Sequence, residues 1–332
     1  MTDFSIVAVI PLYNGAKWIE DAIRSVFAQT LQPDEFIVVD DGSTDNGVAI
    51  VERLAQERPI ILLRKFNGGQ SSARNLGVKH STSALIALLD QDDLWYPGHL
   101  ERLVKPFREP TAMRIGWVYS DLSEIDEAGS MLRHSILGGT PMEHPKRTLI
   151  SCLSQDMFVL PSASLISREA FESVGGFDER LCGYEDDDLF LRMFRAGYGN
   201  TYLDQPLSAW RIHANSTSNT ERMSKSRRIY MQKLIDMFPD DRYRGFYYKK
   251  HCIVPRFLRC NIFAYLQAFR TMDIKQMSAR VDDIYHLLPQ IDVKGRIALT
   301  IAAPFMRSYS LACLFSRSPR CVKIAAARLV MP

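Results

Sequence analysis

The sequence predicts an α/β fold: a mostly parallel sheet flanked by helices, followed by a mainly helical C-terminal region. Between residues 4 and 89, apolar runs of strand length alternate with amphipathic helical stretches. That alternation is the signature of βαβ units. From Glu221 onward the periodicity turns helical, and the charge changes sign with it. Residues 1–221 hold 20 Lys/Arg against 31 Asp/Glu, whereas residues 222–332 hold 21 against 7.

FSIVAVI is a strand buried on both faces, and the PLYNG turn after it opens a helix with Ile19, Ala22, Ile23, Val26 and Phe27 on one side. Phe36 to Val39 form the second strand, which ends at Asp40 and Asp41. Gly42 to Asp45 make a turn, Val48, Val51 and Leu54 mark a helix, and Ile60 to Leu63 are the third strand. A glycine-rich loop and a short helix from Ser72 lead to the strand Ala84 to Leu89. After Pro97 come a helix, His99 to Phe107, a strand around Gly116 to Ser120, and an aperiodic loop from Glu124 to Lys146. The acids Glu185 to Asp188 start a helix that buries Leu189, Met193 and Phe194, and TYLDQPLSAWRIHANSTS is a strand running into a polar loop.

With 332 residues, 46% of them hydrophobic, the chain can bury a full core. Its six cysteines are scattered and form no CxxC pair, so a zinc or disulfide framework is not expected and a reducing compartment is. The N-terminal apolar run is short and lacks a basic leader, so it reads as a strand and not as a signal peptide. Ile297 to Met306, broken by Pro304, is too short to span a bilayer.

Parallel sheets bind ligands beyond the carboxyl ends of their strands. Here Pro11 to Asn14, Asp40 with Asp41, and Asp90 to Asp93 all fall at such ends and are expected to share one cleft. Carboxylates at Asp90 and Asp92 suit Mg²⁺ or Mn²⁺ over a diphosphate; an Asx turn or solvated acids are the plainer alternative. Asp41 can accept hydrogen bonds from a base or ribose. Tyr13 offers a stacking face or packs in the core. Arg74 meets a nucleotide or makes an ion pair. In the tetrad Glu185 to Asp188, helix capping accounts for some acids, and one crowded in the cleft is a credible general base. His213 touches phosphate or metal, or is structural.

The motifs PLYN, VVDDGSTD, NGGQSSARNLG, LLDQDDLWYP and GGFDERLCGYEDDDLFLR occur in that order, with WRIHANS after them. Together they resemble glycosyltransferase family 2, over residues 4 to about 216. The resemblance implies a GT-A fold with a Rossmann-like sheet. It implies a catalytic domain over residues 1–220, with a nucleotide-binding half (1–97) and an acceptor-binding half (98–220), and leaves 221–332 as a basic helical region. It makes Pro11, Tyr13 and Asp41 contacts for the base, with Asp40 supporting their loop and Arg74 a nucleotide contact. Asp92 becomes the firmer metal ligand, and Asp90 shares ribose or metal duty. Asp186 becomes the catalytic base, preceded by Glu185, and His213 lies near diphosphate or metal. At Asp187 the usual pattern often has an aromatic, so this chain adds negative charge beside the base.

The implied reaction is inverting transfer from a nucleotide sugar to a glycan hydroxyl, with Mn²⁺ or Mg²⁺ at the DxD acids. A UDP-sugar is the expected donor, with dTDP and GDP as alternatives. The expected acceptor is lipid-linked, in bacterial surface polysaccharide synthesis such as O-antigen or capsule. Alternatives are a soluble enzyme acting on protein, or a noncatalytic nucleotide- or sugar-binding module. The basic tail, with candidate segments Phe246 to Arg270 and Ala298 to Val330, is expected to lie on an anionic membrane. That would make the protein cytoplasmic and peripheral to the inner membrane. A solvated basic face or a homodimer through the tail is the alternative, and nucleic acid is not an expected partner.

Overall fold

A computed structural model describes residues 4–140, 142–213, 221–291 and 293–316. It divides into two units: residues 1–151 with 157–226, and residues 152–156 with 227–332. The "ANS" of WRIHANS and everything beyond residue 316, including part of the second candidate membrane segment, lie outside the described residues.

The first unit opens with β1 (Ile6–Leu12), α1 (Ile19–Phe27), β2 (Glu35–Asp40), α2 (Gly47–Leu54), β3 (Ile61–Arg64), α3 (Gln70–Lys79) and β4 (Leu85–Leu88). There follow β5 (Leu94–Trp95), α4 (His99–Arg108), β6 (Ile115–Ile125), β7 (Met131–Arg133) and α5 (Leu149–Ser154), the last of which ends in the second unit. It closes with β8 (Ser164–Ser167), α6 (Arg168–Ser173), α7 (Glu185–Arg195) and β9 (Gly199–Arg211). The sheet runs β3-β2-β1-β4-β8-β6-β9-β5, with β7 hairpinned onto β6. It is parallel from β3 to β4, and β8 is antiparallel to both of its neighbours. The chain therefore leaves β1 for β2 on one side and returns to β4 on the other. The crevice between β1 and β4 is a topological switch point.

All of β1 is buried, because helices cover both faces of a parallel sheet. One face packs on α1 through Ile19, Ala22, Ile23 and Val26, and on α4 through Leu100, Leu103 and Val104. The other carries α3, which comes unusually close at Gly77: a Cβ there would stand 2.4 Å from a Val9 methyl and 3.2 Å from one of Val39. This close approach sets the depth at which α3 lies against the strand ends.

Several elements differ from the expectation. β6 runs on through Ser120, Asp121 and Ser123, all buried, where the polar residues had marked its end. Each polar group is satisfied: Ser120 Oγ donates to the Asp121 carbonyl, and Ser123 Oγ to the His134 carbonyl, both at 2.8 Å. The Asp121 carboxylate accepts from the amides of Leu122, Ile136, Leu137 and Gly138 and from Ser135 Oγ. Burial pushes this acid up, but those bonds together hold it below the ordinary carboxylate range. The aperiodic stretch after Glu124 contains the short strand β7, closed by Asp126, whose Oδ1 accepts from the amides of Ala128 and Ser130. The five cysteines among the described residues form no disulfide.

The second unit is helical: the greater part of α8 (Glu221–Met237), whose first residues belong to the first unit, then α9 (Val254–Arg270), α10 (Ile274–Leu287), α11 (Val293–Arg307) and α12 (Tyr309–Ser316). Tyr265 and Ala268 of α9, Met277 and Val281 of α10 and Ala303 of α11 form its core, and Tyr265 Oη donates to the Met306 carbonyl. The segment 152–156 is tied to α9 by Arg256, which is 1% exposed and pairs with Asp156 at 2.5 Å.

Substituting Gly77→Ala is expected to push α3 off β1. Overpacking of this kind costs roughly 1–3 kcal/mol, to be read as a lower urea midpoint at unchanged slope.

Candidate active site

The turn after β4 is the floor of the site. Asp90 closes it by accepting the Asp93 amide at 3.1 Å, while the Asp90 amide donates to Ser162 Oγ at 3.1 Å. The next residue, Gln91, clasps the end of β1. Its Oε1 accepts the Tyr13 amide at 2.8 Å, and its Nε2 donates to the Tyr13 carbonyl at 3.1 Å. Sequence reasoning missed Gln91, although it sits inside the DQDD motif. Tyr13 itself is 43% exposed, so it offers an open ring and does not pack in the core. Its neighbour Pro11 is inside β1, buried and paired with Val39. The Asn14 side chain accepts the Thr44 amide, and its own amide donates to Ser43 Oγ, tying the β1 end to the turn after β2.

Asp40 and Asp41 are both buried, and each organises a loop. Asp40 Oδ1 accepts the Ser43 amide at 2.9 Å. Asp41 accepts Lys65 Nζ at 2.6 Å and the amides of Gly68 and Gly69 at 2.9 and 2.7 Å, which orders the glycine-rich loop. A carboxylate has about four acceptor sites, so three of those of Asp41 are filled from within the chain. Lys65, like Gln91, had no signal in sequence.

Arg74 joins the two acidic motifs. It is fully buried; Nη2 donates to Asp90 Oδ1 at 2.5 Å and Nη1 to Glu185 Oε1 at 3.0 Å, and its guanidinium lies 5.3 Å from the centre of the Phe177 ring. Burial opposes its charge, but the carboxylates of Asp90 and Glu185 outweigh burial and raise its affinity for the proton further. Arg74 commits both terminal nitrogens to these acids, the ion-pair alternative of the sequence analysis. Glu185 also accepts from Gln70 Nε2 at 3.3 Å.

Asp92 points to the other end of the sheet. Its Oδ2 is 2.7 Å from His213 Nε2, and the His213 ring packs on Trp18, centroids 4.3 Å apart. Burial first, then the charge of Asp90, push the Asp92 carboxyl up against the pull of His213. Asp93 is buried and accepts the Arg211 amide; burial and the charges of Asp92 and Asp90 push it well above the ordinary range. Arg211, also missed, donates from Nε to the Asp92 carbonyl and from Nη1 to the Asp126 and Glu127 carbonyls.

The Asp92 carboxylate is the kind of donor a hard divalent cation takes, and the imidazole of His213 lies beside it. Among the described residues no group of three His, Cys, Asp or Glu is arranged around one point. An ion here would therefore take its remaining ligands from substrate phosphate and water. Asp90 has Oδ1 on Arg74 and a side chain that is 28% exposed.

The acids that open α7 have separate partners. Glu185 meets Arg74, Asp187 Oδ1 accepts the Met157 amide at 2.6 Å, and Asp188 pairs with Arg192 at 2.8 Å. Asp186 Oδ1 accepts the Asp187 amide at 2.8 Å and its side chain stays half-buried. Burial first, then Glu185 and Asp187, push the Asp186 carboxyl well above the ordinary range. Tyr184 just before it adopts a left-handed backbone, φ 63°, which turns the chain sharply into the helix.

The mixed α/β sheet with acids at the ends of β2 and β4 and at the start of α7 defines a GT-A-type glycosyltransferase. Solved structures with this fold cover nearly the whole chain. Staphylococcus aureus TarS residues 1–349 in complex with UDP-GlcNAc gives a TM-score of 0.59 at 16% identity, covering 94% of this chain and 92% of that one. The mannosyltransferase PcManGT of Pyrobaculum calidifontis, in complex with GDP-Man and Mn²⁺, gives 0.57 at 17% identity, covering 99% and 88%. The family model "Glycosyl transferase family 2" matches residues 7–175, and a second, "N-terminal domain of galactosyltransferase", matches 161–231. The chain belongs to glycosyltransferase family 2. Among curated relatives, uncharacterized glycosyltransferases of Rickettsia conorii and Rickettsia prowazekii are each 34% identical, over 56% and 64% of this chain. The matches span 31% and 65% of those relatives' lengths. Chondroitin synthase of Pasteurella multocida is 28% identical over 57% of this chain and 18% of its own.

Replacing Arg74→Ala leaves the buried Glu185 and the half-buried Asp90 without their cation and is expected to lower stability by roughly 3–5 kcal/mol. Combining Arg74→Met with Asp90→Asn and Glu185→Gln removes the charges together and should restore most of that loss in a denaturant titration.

Proposed function

We propose that this family 2 glycosyltransferase inverts the anomeric centre of a nucleoside-diphosphate sugar, UDP-linked by preference, as it transfers the sugar to a hydroxyl of a lipid-linked glycan. The setting is bacterial surface polysaccharide synthesis on the cytoplasmic side of the inner membrane. The observation that carries the reading is Arg74, which locks the Asp90–Asp92 turn to the helix start that bears Asp186. That brace holds a leaving-group site and a proton acceptor in one framework. The open ring of Tyr13, one residue past the Leu12–Asp40 pairing, suits a stacked base, and the last acceptor site of Asp41 suits a uracil N–H. The complexes of TarS with UDP-GlcNAc and of PcManGT with GDP-Man and Mn²⁺ support a nucleotide-sugar cosubstrate and leave the base open between UDP and GDP.

The acceptor hydroxyl attacks C1 from the face opposite the diphosphate, and Asp186 takes its proton. Its raised proton affinity makes it a stronger base than an exposed aspartate, at the cost of ionising only at higher pH. Asp90 orients the ribose, and Asp92 with His213 holds the side on which the diphosphate departs. A divalent ion bound there supplies positive charge to the leaving group. Arg74 touches no substrate in this scheme; it is a positioning residue.

Transfer by Asp186→Asn should fall about 10²- to 10⁴-fold, while nucleotide-sugar binding by calorimetry stays near wild type; unchanged turnover would remove Asp186 from this role. In the wild type, kcat should rise with pH through the raised ionisation of Asp186. The same shift carries a stability sign. A folded-state carboxyl held above its unfolded value contributes stability at low pH that is lost as pH rises through the folded value. Asp186→Asn is thus expected to melt no lower than wild type at pH 8 while being inactive.

Removal of divalent ions by a chelator should weaken UDP binding, and added Mn²⁺ should restore it. In Asp92→Ala that Mn²⁺ dependence should disappear. Thermal shifts measured with UDP alone and with Mn²⁺ report this without turnover, and an Mn²⁺-independent UDP shift in the wild type would count against the ion.

A further inference from the structure

The second unit carries a surface with chemistry of its own. α11 buries Leu299 and Ala303 on one side. On another side Val293, Ile297, Ile301 and Phe305 are 67, 56, 63 and 52% exposed. These four recur every fourth residue, so they stand in one row along the helix. Single exposed apolar residues are ordinary, but a continuous row of four large ones marks a contact surface. Arg296 and Arg307 are exposed on the same helix, Arg307 in an ion pair with Asp282 of α10, and neither α9 nor α11 contains a single Asp or Glu. Residues 222–332 as a whole hold 21 Lys/Arg against 7 Asp/Glu.

We propose that the α11 row is a docking face that lies in the interfacial layer of an anionic lipid bilayer. This rests on, and deepens, the reading of a lipid-linked acceptor. An apolar row flanked by cations on an acid-free helix is the pattern of a helix lying in a membrane surface. At 15 residues α11 is about 22 Å long by its rise per residue, short of the roughly 30 Å hydrocarbon core. No helix among the described residues is long and apolar enough to cross a membrane. Pairing with a second copy would set two acid-free, cationic helix faces against each other, whereas an anionic headgroup layer offers the opposite charge.

The test is flotation of the full chain with vesicles of phosphatidylglycerol and phosphatidylcholine, or of phosphatidylcholine alone, at about 50 mM and about 500 mM salt, spanning weak and strong screening. Wild type should float with the anionic vesicles at low salt and much less at high salt or on neutral vesicles. Ile297→Glu with Ile301→Glu should lower the partition coefficient at least ~10-fold, with melting temperature and donor-sugar hydrolysis unchanged. If the variant floats as well as wild type, the α11 assignment falls while membrane association stands. If wild type does not float at all, both fall. A wild-type dimer that the substitutions convert to monomer would make the row a self-association face. A lower melting temperature in the variant would show the row to be covered by the protein itself. Either result overturns the proposal.

Discussion

Arg74 is the constraint on which the rest of the site depends. A guanidinium with no exposed surface is tolerated only if its charge is met, and here the two carboxylates that meet it come from residues 16 and 111 positions away. To reach both, α3 has to lie close under the ends of β1 and β4. Gly77 allows that by leaving no Cβ between the helix and Val9. From the other direction, Gly176, at φ +70°, sits against Phe171 in the turn that brings Phe177 under the guanidinium. Packing of apolar surface thus places the ion, and the ion in turn fixes the relative position of the two acidic segments. Neither segment could be displaced without leaving a buried charge uncompensated.

The same device recurs at two loops. Asp41 gathers Lys65 and the amides of Gly68 and Gly69, and Asp121 gathers four amides and a hydroxyl, three of those amides from residues 136–138. In each case a buried carboxylate, Asp41 just past the end of β2 and Asp121 inside β6, serves as a hub for successive N–H groups of a segment with no regular structure. A loop ordered this way needs no hydrophobic core of its own, since charge-assisted bonds in a low-dielectric setting satisfy its backbone. Both acids thus hold a loop in place through their own hydrogen bonds.

That explains which features were legible in the sequence. The strands from β1 to β4 announce themselves as apolar runs, because a parallel sheet covered on both faces needs side chains of one kind. Their carboxyl ends are equally plain, since polar residues crowd there. β6 past Ser120 was not legible, because buried Asp121 and Ser123 look like a loop until their partners 11 to 17 residues on are known. Short β8 and two-residue β5 carry too few residues to establish a period. At the site, the residue types and order pointed to Asp90, Asp92, Asp186 and His213. Gln91, Lys65 and Arg211 act through long-range contacts with backbone atoms or buried acids, and no local pattern encodes such a contact. For Arg74 the sequence left a nucleotide contact and an ion pair open, and the structure shows the ion pairs, with Asp90 and Glu185.

The acidic opening of α7 shows how a cluster of like charges is resolved. Four carboxylates in the first turn gain from the helix dipole, but their mutual repulsion would exceed that gain if all shared one environment. They are instead dispersed: Glu185 to Arg74, Asp187 to the Met157 amide and Asp188 to Arg192. Asp187 is thus turned toward a backbone donor, although its charge is still felt next door. Asp186 bears the residue of this arrangement. It has one amide for a partner, acids on either side in sequence and a half-buried setting, and its proton affinity is raised accordingly. A group held in that state is a poor contributor to stability and a good proton acceptor. The neighbours that satisfy their own charges elsewhere are what allow one member of the tetrad to be both.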